Sequence, residues 1–116
     1  MAHPTRIMYI EDKGENGIVG PARIGRLTYS KSLRSLHYNG RRFESLRAPG
    51  FKSNYCDAET GRYYWISGCK KDGTDALYST TVEIDDDVRE EYWMKIRNKP
   101  ESKHVKTLRV PGKYSR

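Results

Sequence analysis

Residues 34–45 read RSLHY-NG-RRFES. This stretch constrains the fold more than any other. A two-residue type I′ turn needs φ > 0 at both central positions, and Asn39 followed by Gly40 meets that need at low steric cost. The two-residue loop also predicts a register, with Tyr38 facing Arg41, His37 facing Arg42 and Leu36 facing Phe43. Side chains alternate along a strand, so Leu36 and Phe43 form an apolar cross-strand pair on the buried face. His37 and Arg42 share the opposite, solvent face.

The flanking sequence continues in the same idiom. Residues 6–11 (RIMYIE) predict a first strand, and residues 12–21 a loop carrying Gly14, Gly17, Gly20 and Pro21. Residues 22–31 predict a second strand, in which Gly25 marks a bulge or a close backbone approach. The run SNYC-DAETG-RYYWIS (53–67) predicts a second hairpin, whose Asp57 and Gly61 suit a type I turn closed by a left-handed glycine. Residues 70–75 (KKDGTD) make a turn, and residues 76–84 a last strand. Asp85, Asp86 and Asp87 suit the positive end of a helix. That helix, 86–97, carries Val88, Tyr92 and Ile96 as one apolar stripe, with Lys95 and Arg97 in its last turn and Pro100 beyond its end.

The expected fold is therefore mainly β. It is a small antiparallel β-barrel or strongly curled sheet, SH3-like or OB-like, of five to six strands with one C-terminal α-helix. A length of 116 residues suits one domain, and 35% hydrophobic content suffices for one modest core. The domain is expected to span residues 6–97, after a flexible N-terminus (1–5) and before a basic, disordered tail (98–116).

Charge is the next constraint, because partners are steered by its distribution. The chain carries 22 Lys and Arg against 15 Asp and Glu, a net +7. The tail holds six cations (Lys99, Lys103, Lys106, Arg109, Lys113, Arg116) against Glu101. Residues 22–47 hold seven against Glu44, while residues 83–91 hold six acids against Arg89. The molecule reads as a basic body, an acidic patch and a basic tail.

Several classes are not expected. No run approaches the ~20 apolar residues of a membrane span, and no secretory signal is evident, so the expected location is the cytoplasm. Cys56 and Cys69 read as reduced thiols; with His3, His37 and His104 scattered, they make no zinc pattern. No phosphate-binding loop, nucleophile elbow, metalloprotease or dinucleotide fingerprint occurs. The glycine loop precedes no helix start, His37 with Glu44 reads as a solvated hairpin face, and Asp85–Asp87 is explained by the helix dipole. We expect neither an enzyme nor a cofactor nor a metal.

Two binding readings remain. Nucleic-acid binding needs cations for phosphates and aromatic faces for bases. Arg23, Arg26, Arg41, Arg42, Arg47, Lys52, Lys70 and Lys71 supply the first, and Tyr63 and Trp65 the second. A protein-interaction module or a homodimer paired through sheet edges would use the same residue types, and would tolerate the acidic patch better.

The runs GPARIGR (20–26), FESL (43–46), ETGRYYWISGCKKDG (59–73) and VEIDDDVREEYW (82–93) resemble a family of small proteobacterial proteins of about this length. The resemblance covers residues 6–97. It implies a compact domain of bacterial cytoplasmic origin and supplies no mechanism. Such proteins sometimes carry the label deoxyxylulose-phosphate synthase. That is a large thiamine-diphosphate enzyme, and this chain is too short for it and lacks the Gly-Asp-Gly signature that holds the cofactor's metal.

Overall fold

The computed structural model describes residues 4–14, 22–32, 34–46, 53–76 and 80–110. Eight strands are formed: β1 (Thr5–Gly14), β2 (Ala22–Tyr29), β3 (Ser35–Tyr38), β4 (Arg41–Ser45), β5 (Tyr55–Asp57), β6 (Tyr63–Gly68), β7 (Thr80–Ile84) and β8 (Thr107–Val110). Strands β1 to β6 close into an antiparallel barrel, because β1 pairs with both β6 and β2. β7 joins β2 in parallel, and β8 extends that ribbon antiparallel to the sheet's edge. One short helix, α1 (Arg89–Glu91), continues as a π-helical turn over Tyr92–Ile96.

The Asn-Gly hairpin forms with the expected register. Leu36 faces Phe43, His37 faces Arg42 and Tyr38 faces Arg41. Asn39 and Gly40 have φ of 51° and 78°, as a type I′ turn requires. Leu36 and Phe43 are fully buried, while His37 and Arg42 are exposed. In the second hairpin Gly61 takes φ of 76°, and the Asp57 carboxylate accepts the backbone N–H groups of Glu59 (2.8 Å) and Thr60 (3.2 Å). Those bonds hold the Asp57 carboxyl below its ordinary pKa.

β1 is buried on both faces, and this organises the core. Met8 and Ile10 join Leu27, Leu36, Phe43, Tyr64 and Ile66 inside the barrel. On the other face, Ile7 and Tyr9 pack with Ile24, Val82, Ile84, Val88, Tyr92 and Trp93 beneath the helix. β1 also runs three residues further than residues 6–11, with a bulge between Asp12 and Gly14. The extension carries Lys13 onto the outer buried face beside Glu11.

Three expectations need correction. The strand over 76–84 begins only at Thr80; Ala76 is buried but not in a strand, and residues 77–79 lie outside the described residues. The helix begins at Arg89 rather than at residue 86, and Ile96 is only partly buried while Trp93 is buried. The π turn explains the exchange. Arg97 N–H bonds the Tyr92 carbonyl five residues back (2.9 Å), so the turn holds an extra residue and the α-helical stripe slips. Finally, residues 98–116 are not a structureless tail throughout. Pro100–Ser102 form a 3₁₀ turn and Thr107–Val110 form β8. Leu108 and Val110 face the core across from Val82 and Thr80, and this burial outweighs the polar composition. Residues 111–116 lie outside the described residues.

Candidate nucleic-acid interface

The strand arginines expected to meet phosphate are already paired with acids. Arg23 binds Glu83 (2.7 Å) and Asp85 (2.7 Å). Arg26 binds Glu91 (2.9 Å) and Arg42 binds Glu44 (3.0 Å). Arg41 reaches Asp57 at 3.5 Å and the Tyr64 hydroxyl at 3.3 Å. Topology causes most of this: the parallel β2–β7 pairing sets Arg23 opposite Glu83 and brings the acidic patch onto the basic strand. The two charge blocks of the sequence therefore largely cancel. Arg47 and Lys52 lie outside the described residues.

The aromatic run splits by strand alternation. Tyr64 points into the barrel, its ring edge-to-face with Phe43 at 4.7 Å. Trp65 packs against the core beneath the helix, and its indole N–H is buried without a hydrogen-bond partner among the described residues. Tyr63 is 48% exposed. It stands at the opposite end of β6 from Lys70 and Lys71, so the structure does not bring the exposed ring together with the two lysines.

A different group of cations converges at the C-terminal end of the helix. Asn98, at φ of 54°, ends the helix beside the turn that contains Lys70 and Lys71. The Arg97 guanidinium fills the space a side chain would need at Gly73, which itself has φ of 76°. Arg6 fills the corresponding space at Gly68, and both Arg6 and Arg97 lie close enough to Cys69 to oppose the rise that burial imposes on its thiol pKa. Arg97 is held by aromatic groups rather than by a carboxylate. Its guanidinium carbon lies 5.2 Å from the Trp93 ring centroid, and one N–H donates to the Tyr92 hydroxyl at 3.1 Å. Burial pushes the Tyr92 hydroxyl up to about 12, and the Arg97 charge opposes the rise.

None of Arg6, Lys70, Lys71, Lys95, Arg97 and Lys99 is in an ion pair among the described residues. Two acids lie nearby. Asp72 is engaged by Thr74, and Asp75 is buried and accepts the Lys70 backbone N–H at 2.7 Å. Burial raises the Asp75 pKa against the opposing pull of that N–H, Lys70 and Arg97, with Asp72 adding to the rise. An acid raised on folding loses stability as pH climbs from its unfolded pKa, about 4, through the folded one. Asp75→Asn keeps the acceptor for Lys70 and removes that titration. Its thermal midpoint should match the parent near pH 3 and exceed it at pH 7. An equal or lower midpoint at pH 7 would contradict a buried charge that costs stability.

Lys70 and Lys71 were legible as a basic pair in a turn; Arg6, Lys95, Arg97 and Lys99 were not read as a surface. The sequence signals were Lys95 and Arg97 in the last helical turn, which also serve the helix dipole, and Lys99 among the cations of the tail. Elsewhere, His37 is exposed, and Glu44 beside it is paired with Arg42. Asp85 is taken by Arg23 and Tyr38, and no cluster of three His, Cys, Asp or Glu residues suited to a metal occurs among the described residues. Cys56 and Cys69 are free thiols. No helix among the described residues is long and apolar enough to cross a membrane. No family model, curated protein or solved structure matches this chain.

Proposed function

We propose that this domain binds nucleic acid without catalysis, through the unpaired cations at the C-terminal end of its helix. One observation carries the reading. Acidic partners occupy Arg23, Arg26, Arg41 and Arg42, whereas Arg6, Lys70, Lys71, Lys95, Arg97 and Lys99 hold no carboxylate among the described residues. Arg6, Lys70, Lys71, Lys95 and Lys99 are exposed, with Arg97 half-buried among them, and exposed cations are the ones that release counterions on meeting a phosphate backbone. With Trp65 in the core and Tyr63 at the far end of β6, no stacking platform accompanies them among the described residues. The binding is therefore read as backbone-directed and largely independent of sequence.

Fluorescence anisotropy with labelled DNA and RNA, single- and double-stranded, at about 50 and 200 mM salt tests this directly. The expected result is binding that weakens steeply with salt. In Lys70→Glu/Lys71→Glu the slope of log affinity against log salt should fall by roughly two for duplex, about one for each lysine that no longer neutralises a phosphate. Arg41→Gln/Arg42→Gln should leave the slope unchanged. Absence of binding at low salt, or equal weakening in both variants, would overturn the reading. The alternative is a protein-interaction module, and the open edge of β8 favours it.

A further inference from the structure

β8 ends the sheet, and the pairing of its inner side fixes what its outer side presents. Ile84 N–H donates to the Lys106 carbonyl at 2.7 Å, so the opposed residues Ile84 and Lys106 are a hydrogen-bonded pair. Such pairs recur every second residue in an antiparallel ladder. Leu108 and Val110 therefore bond to Val82 and Thr80, and the backbone groups of Thr107 and Arg109 point away from β7. Neither residue's backbone has another partner among the described residues. Among the described residues this edge thus offers two N–H donors and two carbonyl acceptors at strand spacing.

The surroundings of this edge select its partner. Lys103, His104, Lys106 and Arg109 are all exposed along it, and none is in an ion pair among the described residues. The acid on the adjacent strand, Glu83, is already held by Arg23. Val105, next to the strand, is 38% exposed, while its carbonyl is fixed by the Trp93 indole N–H at 3.0 Å. A second copy of this chain would bring the same cations to the same ribbon, and its strand would repel. An extended segment rich in Asp and Glu, with an apolar residue to cover Val105, matches both the charge and the hydrogen-bonding pattern.

We propose that the outer edge of β8 docks an extended acidic peptide segment as an added strand, through the outward backbone groups of Thr107 and Arg109. Main-chain bonds supply register in this mode of recognition, and side chains supply selectivity. The site uses main-chain groups of Thr107 and Arg109 and neither Lys70 nor Lys71, so Thr107→Pro and the Lys70→Glu/Lys71→Glu variant test the two proposals separately.

The test uses the full chain and a fluorescent peptide of about eight alternating valine and glutamate residues, with a lysine-for-glutamate peptide as control. Amide hydrogen exchange should find Thr107 and Arg109 fast and Leu108 slow in the free protein, with Thr107 and Arg109 protected when the acidic peptide is added. Thr107→Pro removes one outward N–H and leaves the β7 ladder intact, as edge positions allow. It should weaken acidic-peptide binding at least tenfold with little change in thermal midpoint. Arg109→Gln should weaken it less. Equal binding of the lysine peptide would overturn the proposal. So would protection elsewhere in the chain, or protection that grows with protein concentration and no peptide, which would assign the edge to a second copy. Protection by an oligonucleotide but not by the peptide would assign it to nucleic acid.

Discussion

Replacing Glu11 by glutamine should remove a large part of this domain's stability, by about 3–5 kcal/mol, the range for taking one partner from a buried ion pair. The Glu11 and Lys13 side chains are fully buried and 2.5 Å apart, and the Tyr9 hydroxyl donates to the other Glu11 oxygen at 2.5 Å. β1 puts all three on its outer face at alternate positions, and Tyr9 packs with Val88, Tyr92 and Trp93 of the helical segment. Glutamine withdraws the negative charge and leaves the Lys13 ammonium in a low-dielectric setting. Burial and the Glu11 charge also raise the Tyr9 hydroxyl far above its ordinary pKa, so Tyr9 stays a donor throughout the accessible pH range. A domain's whole stability is typically 5–15 kcal/mol, so urea unfolding would register the change as a large drop in midpoint. The triple change Tyr9→Phe, Glu11→Leu, Lys13→Met removes these three polar groups together and should recover most of it, since apolar replacement of a buried pair is often neutral or better. A Glu11→Gln midpoint equal to the parent would mean that water reaches this face of β1.

Gly25→Val should be the second severe change. In most strands glycine is a weak choice, and a side chain gains about 0.5–1 kcal/mol. Here the sign reverses. A Cβ at residue 25 would sit 2.6 Å from Asp85 Oδ2 and 2.6 Å from the Tyr38 ring. The cause lies in the sheet. One edge of β2 pairs with β3 at Thr28 and Tyr29 and with β7 at residues 22–24, so β3 and β7 diverge around Gly25. Tyr38 spans the gap with its hydroxyl on Asp85, and Arg23 grips the same carboxylate. Burial, reinforced by Asp85, pushes the Tyr38 hydroxyl up to about 12. A valine would push the strap off, combining overpacking at about 1–3 kcal/mol with rupture of the Tyr38–Asp85 hydrogen bond. At roughly 4–8 °C per kcal/mol, the thermal midpoint should fall by about 10 °C or more. Gly25→Ala should cost less but keep the sign. A raised midpoint in either variant would contradict the close approach.

These two sites mark where local sequence stops being informative. The Asn39-Gly40 hairpin was legible down to its register because turn chemistry is local. Gly25 was legible as an anomaly, yet its neighbours Tyr38 and Asp85 lie 13 and 60 positions away and only the fold brings them together. Glu11 looks like the end of a short strand and Lys13 like part of a polar loop, and nothing local says that β1 is covered on both faces. The same limit holds for the candidate site. Charge counted along the chain marks Arg23, Arg26, Arg41 and Arg42 as a basic surface. Pairing across β2 and β7, within β4, between β4 and β5, and between strand and helix assigns each of them an acid. Arg6, Lys70, Lys71, Arg97 and Lys99 come from three separated segments, and their convergence depends on where the helix ends. β8 was hidden by its composition, because Leu108 and Val110 alone carry its burial.

The most direct test of the central claim is a nitrogen–proton correlation spectrum of the full chain, recorded at about 50 mM salt with and without an oligonucleotide duplex. Shifts should concentrate at Arg6, at Lys70 to Gly73 and at Lys95 to Lys99, and should reverse as salt is raised to about 200 mM. Shifts centred on the Tyr38–Arg42 hairpin and Arg23, or a spectrum unchanged by the duplex, would contradict it.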